Sequence, residues 1–320
     1  MSLSEGTYSD CTITVTDSSG NSVTLKISSF TIFIYKFVAV GNSGTILTST
    51  DGTTWTSRTS GTTQHLTDVT YGNSTYVAVG NSGTILTSTD GTTWTTAASG
   101  LTNNGSTVRL SGVTYGNNTF VTVGDANNGN GAVFTSTNGS DWSFQNSGSD
   151  ATFFDVTYAN NFIASGHGGA IIYSSDATTW TSSDNVTSNE LYGVAYGGGI
   201  YLGVGDNWTL IYSIDGTSWG NMGSYGDISI NDIIYANSNF YAILGSGYIS
   251  ICPNCISSSV NWNEPSNIGV SDDLNGIVYG NSSYVIVGAS GTILTSTNGT
   301  TWTSRTSGTS NDLKGVIYSQ

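Results

Sequence analysis

VAVGNSGTILTSTDGTTWT stands at residues 38–56 and again, letter for letter, at residues 77–95. GTILTSTNGTTWTSRTSGT, residues 291–309, repeats residues 44–62 except that Asn298 stands for Asp51. Self-similarity at a period of roughly forty residues is the mark of an array of supersecondary units. Each unit has four parts. The first is a strand of pattern [LFI]-x-[GD]-[VI]-x-Y, seen at LTDVTY (66–71), LSGVTY (110–115), FFDVTY (153–158), LYGVAY (191–196), INDIIY (230–235), LNGIVY (274–279) and LKGVIY (313–318). The second is an apolar strand such as YVAVG, the third a strand such as GTILTST, and the fourth begins at a tryptophan.

Asp-Gly at 51–52, 90–91 and 215–216 and Asn-Gly at 138–139 and 298–299 predict two-residue type I′ hairpins between the third and fourth strands, because those pairs tolerate positive φ. Asp176-Ala177 predicts a turn relaxed to another type, since alanine resists positive φ. CPNCISSS replaces the turn in the sixth unit. Trp55, Trp94, Trp142, Trp180, Trp219, Trp262 and Trp302 recur at one place in each unit, where a large flat ring packs against the next sheet.

The count decides the architecture. Seven tryptophan hairpins accompany seven Tyr-ended strands, but the first hairpin has no such strand before it and LKGVIY has no hairpin after it. The chain is permuted by one strand. Pairing of Leu313–Tyr318 with Phe37–Gly41 closes an all-β, seven-bladed β-propeller of four-stranded antiparallel blades. The propeller is expected over residues 36–320, preceded by an extension over residues 1–35. In the extension, CTITVTDSSGNSVTLKI reads as a hairpin and SSFTIFIY as a further apolar strand. That strand has no vacancy in the ring, so it either packs on its own propeller or mediates self-association through an edge.

Composition narrows the partners. Six Lys and Arg against 21 Asp and Glu give a net charge of -15, which excludes a basic stripe for nucleic acid or anionic membrane. No apolar run reaches the length of a spanning helix, and MSLSEGTYSD lacks the form of a signal peptide. A surface rich in Ser, Thr and Asn suggests an extracellular or cell-surface protein. The cysteines are Cys11, Cys252 and Cys255; CPNC between strands predicts a hairpin-tip disulfide or two free thiols.

STDGTTW, STNGSDW, SSDATTW, SIDGTSW and STNGTTW resemble Asp-box, or BNR, repeats, found in sialidases and in photosystem II assembly-factor-like propellers. The resemblance covers residues 36–320, with one departure: Asp and Gly are adjacent here, whereas the sialidase box has one more residue between them. The resemblance implies that the box is a turn-stabilising device far from the ligand face, so Asp51, Asp90, Asp176 and Asp215 are structural. Sialidases hold a substrate carboxylate with three arginines and use a Tyr nucleophile paired with Glu. This chain has only Arg58, Arg109 and Arg305, two of them peripheral, and lacks the arginine-rich patch associated with the assembly factors.

Candidate ligand contacts lie on the opposite face, in loops between second and third strands and between blades. His167, Asp206, Trp208 and Asp125 are the candidates; His65 reads as a solvated linker residue. Asp68, Asp155, Asp232, Asp272 and Asp273 begin first strands near the channel mouth, where they either gather a cation or cap strands. DANNGNG (125–131) has a passing likeness to a Ca²⁺ loop but lacks the bidentate acid, so no cofactor and no metal site is assigned. With no catalytic set in view, the expected function is a non-enzymatic binding module for a protein or glycan. A structural subunit that self-associates through residues 1–35 is the alternative, and a sialidase-like hydrolase or lyase a remoter one.

Overall fold

The structure, a computed structural model, describes residues 6–32, 36–126, 129–224, 226–253, 255 and 261–319. The chain divides into two compact units, Met1–Lys36 and Phe37–Gln320.

The first unit is an antiparallel ribbon of Gly6–Thr16 and Ser22–Ile32. Its turn is held by Asp17, whose carboxylate accepts the N–H groups of Ser19 and Asn21, with Gly20 at φ 86°. The apolar stretch expected as a separate strand instead continues the second arm: Phe30 pairs with Tyr8 in unbroken register. Residues 33–35 of that stretch lie outside those described. Ile13 and Val15 pair across the ribbon with Leu25 and Val23, and all four are exposed.

The second unit is the propeller. Blade one has the order Leu313–Tyr318, Phe37–Gly41, Thr45–Ser49, Thr56–Arg58, so the C-terminal strand closes the ring as the permuted repeat requires. Blades two to seven begin with Leu66–Gly72, Ser106–Gly116, Phe153–Tyr158, Leu191–Gly197, Ile230–Ala236 and Leu274–Gly280. Blade three gains a short fifth strand, Thr102–Asn103. The second and third strands are buried along their length, as expected of apolar strands sandwiched between neighbouring sheets.

Aromatic rings stack within and between blades. In blade two Tyr71 lies 4.6 Å from Tyr76, which lies 6.2 Å from Trp94, and blades one, three, four, five and seven repeat this trio. The glycine after the first-strand tyrosine makes room for the next blade: a Cβ on Gly72 would lie 2.0 Å from the ring of Tyr115.

The box loops are not type I′ turns. Strand pairing ends at Thr48 and resumes at Thr56. Between them one side chain caps the loop. Asp51 Oδ1 accepts Ser49 Oγ–H (2.9 Å), Thr53 N–H (2.7 Å) and Thr54 N–H (2.8 Å). Positive φ falls only on the residue after the acid, as at Gly52 (φ 72°). Asp90, Asp176 and Asp215 repeat the cap, and Asn138 and Asn298 reproduce it with an amide oxygen. Ala177 keeps the box conformation at φ 63° instead of relaxing, because the Asp176 cap holds the loop. Burial is the largest single influence and opposes the charge, but backbone N–H and hydroxyl donors together outweigh it and hold Asp51 and Asp90 below the usual carboxylate range. The box tryptophans Trp55, Trp94, Trp142, Trp180 and Trp219 donate their indole N–H to the loop carbonyl at 2.9–3.3 Å. In blade six the box is replaced by an insertion, and Cys252 and Cys255 form a buried disulfide within it.

Candidate functional site

Every first strand carries a β-bulge at the same place. In blade two Leu66 pairs with Gly80 and Asp68 with Val79, leaving Thr67 as the extra residue. Bulges re-aim side chains and interrupt the ladder. Here they set two rings of residues around the channel. The upper ring is formed by the extra residues: Thr67, Ser111, Phe154, Tyr192, Asn231, Asn275 and Lys314. The lower ring follows one residue later: Asp68, Gly112, Asp155, Gly193, Asp232, Gly276 and Gly315.

The lower ring braces the blades. Asp68 accepts the N–H of Val69 in its own blade (2.7 Å) and of Val113 in the next (2.8 Å). Asp155 does the same with Val156 and Val194, and Asp232 with Ile233 and Ile277. Of the two roles the acids invited, capping is the one seen. Burial raises all three carboxyls, Asp155 to about 6, Asp232 to about 7 and Asp68 well above its ordinary value, with mutual repulsion adding to Asp68 and Asp232. Their side chains border the channel but sit deep among protein atoms, so burial outweighs the N–H groups they accept. Asp272 and Asp273 lie elsewhere, accepting from Thr292 and Ser246.

The upper ring is uneven. Thr67, Asn231 and Asn275 donate to carbonyls of the next blade, at Leu110, Leu274 and Leu313. Phe154 and Tyr192 form an aromatic wall, with ring centroids 5.5 Å apart. Tyr192 is pushed up to about 12 by burial, by a hydrogen bond to Asp206 and by the charges of Asp206 and Glu190. Around these residues opens a cavity of about 510 Å³, also bordered by Asn42, Asn81, His65 and Arg109. Two of the six Lys and Arg of the chain, Arg109 and Lys314, line this one cavity. Arg109 pairs with Asp125 at 3.0 Å and Lys314 with Asp312 at 3.2 Å.

The four candidates from sequence are not brought together. Asp125 holds Arg109 at the mouth; of the loop that begins there, Asn127 and Asn128 lie outside the described residues. Among the described residues no cluster of three or more His, Cys, Asp or Glu is placed to hold a metal ion. His167 Nδ1 lies 2.7 Å from Glu190. Asp206 lies close enough to Tyr192 to raise its phenol and accepts Ser229 Oγ–H at 2.7 Å. Trp208 faces a different cavity, of about 410 Å³, with Met222, Asn261, Trp262, Asn263 and Glu264. His65, expected as a solvated linker residue, borders the mouth and accepts Ser43 N–H at 3.2 Å. Phe154, Tyr192 and Lys314 belong to no motif; their signal in the sequence is the variable second position of an otherwise constant strand pattern. Arg58 and Arg305 sit on outer strands, bonded to Thr48 and Thr295, as their repeat position implied.

Comparison with solved structures shows the fold. A structure described as YCF48 bound to D1 peptide superposes with a TM-score of 0.60 at 16% identity, covering 86% of this chain and 85% of that one. YCF48 from Cyanidioschyzon merolae gives 0.62 at 17% identity, covering 81% and 91%. Apo AztD from Citrobacter koseri gives 0.54 at 10% identity, covering 89% and 97%. No curated protein sequence matches the chain. Residues 12–174, just over half of the chain, match the family model described as the DUF6242 beta propeller domain. The chain therefore belongs to the DUF6242 beta propeller family.

Proposed function

We propose that this protein is a non-enzymatic binding module whose channel mouth receives a segment of a protein partner. One observation carries the reading: an aromatic wall, Phe154 and Tyr192, stands in the same cavity as Arg109 and Lys314. Apolar surface flanked by a few placed polar groups suits a peptide segment. The neighbouring acids already accept backbone N–H groups with both oxygens, so they serve as braces and not as the acid and nucleophile of a glycosidase. The structure titled YCF48 bound to D1 peptide supports a peptide ligand on such a fold. An extracellular or cell-surface location is part of the proposal, supported by the Cys252–Cys255 disulfide, since disulfides persist in oxidising compartments. The test is selection of peptides from a displayed library on the full chain, followed by Phe154→Ala and Tyr192→Ala. Binders that ignore both substitutions would sink the reading.

Two further readings each have an observation behind them. A glycan site is favoured by the cavity shared by Trp208 and Trp262, whose buried indole N–H groups have no acceptor and which adjoin exposed Asn261 and Asn263. Self-association is favoured by the exposed apolar quartet Ile13, Val15, Val23 and Leu25 on one ribbon. Glycan-array binding abolished by Trp208→Ala would establish the first. A lower mass by light scattering after deletion of residues 1–35 would establish the second.

A further inference from the structure

The lower ring alternates acid and glycine, and the number of blades is odd. Blades two, four and six carry Asp68, Asp155 and Asp232; blades three, five, seven and one carry Gly112, Gly193, Gly276 and Gly315. Each acid serves two backbone N–H groups, its own and that of the following blade. Three acids therefore serve six: Val69, Val113, Val156, Val194, Ile233 and Ile277. The seventh equivalent is Val316. Its register is the same, since Gly315 pairs with Val40 and Val316 with Ala39 just past the bulge, as Asp68 and Val69 pair with Val79 and Ala78. Its own blade offers Gly315 and the preceding blade Gly276; among the described residues no hydrogen bond from its N–H to a ring carboxylate is seen, though Asp68 Oδ1 of the following blade lies 2.9 Å from where a Cβ on Gly315 would stand.

A second observation agrees. Val316 borders the mouth cavity, together with Gly276, Lys314 and Gly315, while the six bonded equivalents do not. The acids cover those six and leave the seventh open. Room for a side chain is tight on both sides, and less so on that of blade seven. A Cβ on Gly276 would lie 3.1 Å from Lys314 O, so its neighbours must give by a few tenths of an ångström, whereas one on Gly315 would lie 2.9 Å from both Asp68 Cα and Asp68 Oδ1.

We propose that a ligand supplies the missing carboxylate. A carboxylate entering the mouth accepts the N–H of Val316 and takes a charge-assisted bond from Lys314, whose ammonium already holds one carboxylate, Asp312, at 3.2 Å. The three ring acids, raised toward their neutral forms by burial, oppose it less than exposed acids would. The inference deepens the mouth-binding reading and names the chemical group recognised there: a carboxylate of a peptide chain or of a small free acid.

The experiment titrates ¹⁵N-labelled full chain with sodium acetate, with sodium chloride as control, and follows amide shifts. Saturable shifts of Val316 and Gly315 beyond those in chloride are expected. Gly276→Asp fills the place from within and should weaken the acetate response at least about tenfold; Lys314→Gln, which leaves the ring intact, should weaken it about threefold or more. No saturable shift at Val316 overturns the proposal, and so does an unchanged response in a folded Gly276→Asp variant or, should that variant not fold, in Lys314→Gln. Selected peptides then separate the sources. A free C-terminus that binds better than its amide marks the chain end, and dependence on one Glu or Asp marks a side chain. Acetate binding without any peptide binder leaves a small acid as the ligand and sinks only the protein-partner reading. Peptides that bind with no acetate response and no use for any carboxylate sink this inference alone.

Discussion

Replacing Asp155 by Asn tests the buried acids of the channel. Asp155 titrates at an ordinary 3.8 in the unfolded chain and at about 6 in the fold, because burial penalises its charge more than the N–H groups of Val156 and Val194 favour it. A folded value above the unfolded one means that the folded protein holds the proton more tightly. The stabilisation this brings is complete below pH 3.8 and is lost as the pH rises through 6. The gap corresponds to about 3 kcal/mol, or about 2 once the partial exposure of Asp155 is allowed for. Asn removes the titration and adds a roughly constant cost, since its amide N–H₂ opposes one of the two N–H donors. The offset cancels when the variant is compared with the parent at two pH values. Urea denaturation followed by tryptophan fluorescence at pH 4.5 and pH 8 should show the variant gaining about 1–2 kcal/mol on the parent between them, since part of the stabilisation is already lost at pH 4.5. Removing this charge also relieves the Asp68 and Asp232 carboxyls, which acts in the same direction. A relative gain below about 0.5 kcal/mol, or one of opposite sign, refutes the claim that the channel acids are held against their charge.

Other outcomes follow from the loops and the mouth. Asp90→Ala should cost about 2–3 kcal/mol in thermal unfolding by leaving the N–H groups of Thr92 and Thr93 uncapped, while Asp90→Asn should stay within about 1 kcal/mol, as Asn138 and Asn298 make the same bonds. Cys252–Cys255 closes so short a loop that its reduction should cost about 2 kcal/mol and leave the ring folded; thiol titration should then rise by two groups. Tyr192→Phe keeps the wall but drops the bond to Asp206, so peptide affinity measured by calorimetry should fall severalfold, less than in Tyr192→Ala.

The ring was legible because each blade repeats the same demands. An Asp or Asn four residues ahead of the tryptophan in six of the seven units, as Asp90 is to Trp94, and a tyrosine closing each first strand fix where a blade starts and stops, and counting them fixes the closure by Leu313–Tyr318. The box turn was misread because Asp-Gly satisfies two geometries. Adjacency alone suggests type I′, but a side chain that bonds the next two N–H groups, as Asp51 does with Thr53 and Thr54, replaces the hairpin by a capped loop. The mouth was read less well. Loop residues such as His167 and Trp208 drew notice because their types are rare in this chain, yet rarity does not say where a side chain points. Phe154, Tyr192 and Lys314 were hidden in ordinary strands, and only the bulge turns them toward the channel. A bulge follows from ladder geometry, which single residues do not announce.

The pairing of acid and glycine could nevertheless be derived from sequence once the bulge is known. A bulge frees one N–H per blade at the channel, and a buried N–H left unbonded costs about 1–3 kcal/mol. One carboxylate has two oxygens and can serve two blades, so an acid in every second blade suffices, with glycine between to let neighbouring backbones approach. A Cβ at Gly112 would lie 3.0 Å from Asp155 Cα, which shows how little room the intervening blades have for a second acid. An even ring could be satisfied completely in this way. A ring of seven leaves one N–H over, and in this chain it falls at Val316, where the N-terminal part of the repeat joins its C-terminal strand. The parity of the ring, more than any single residue, thus singles out one blade junction as the place where the proposed ligand carboxylate completes the pattern.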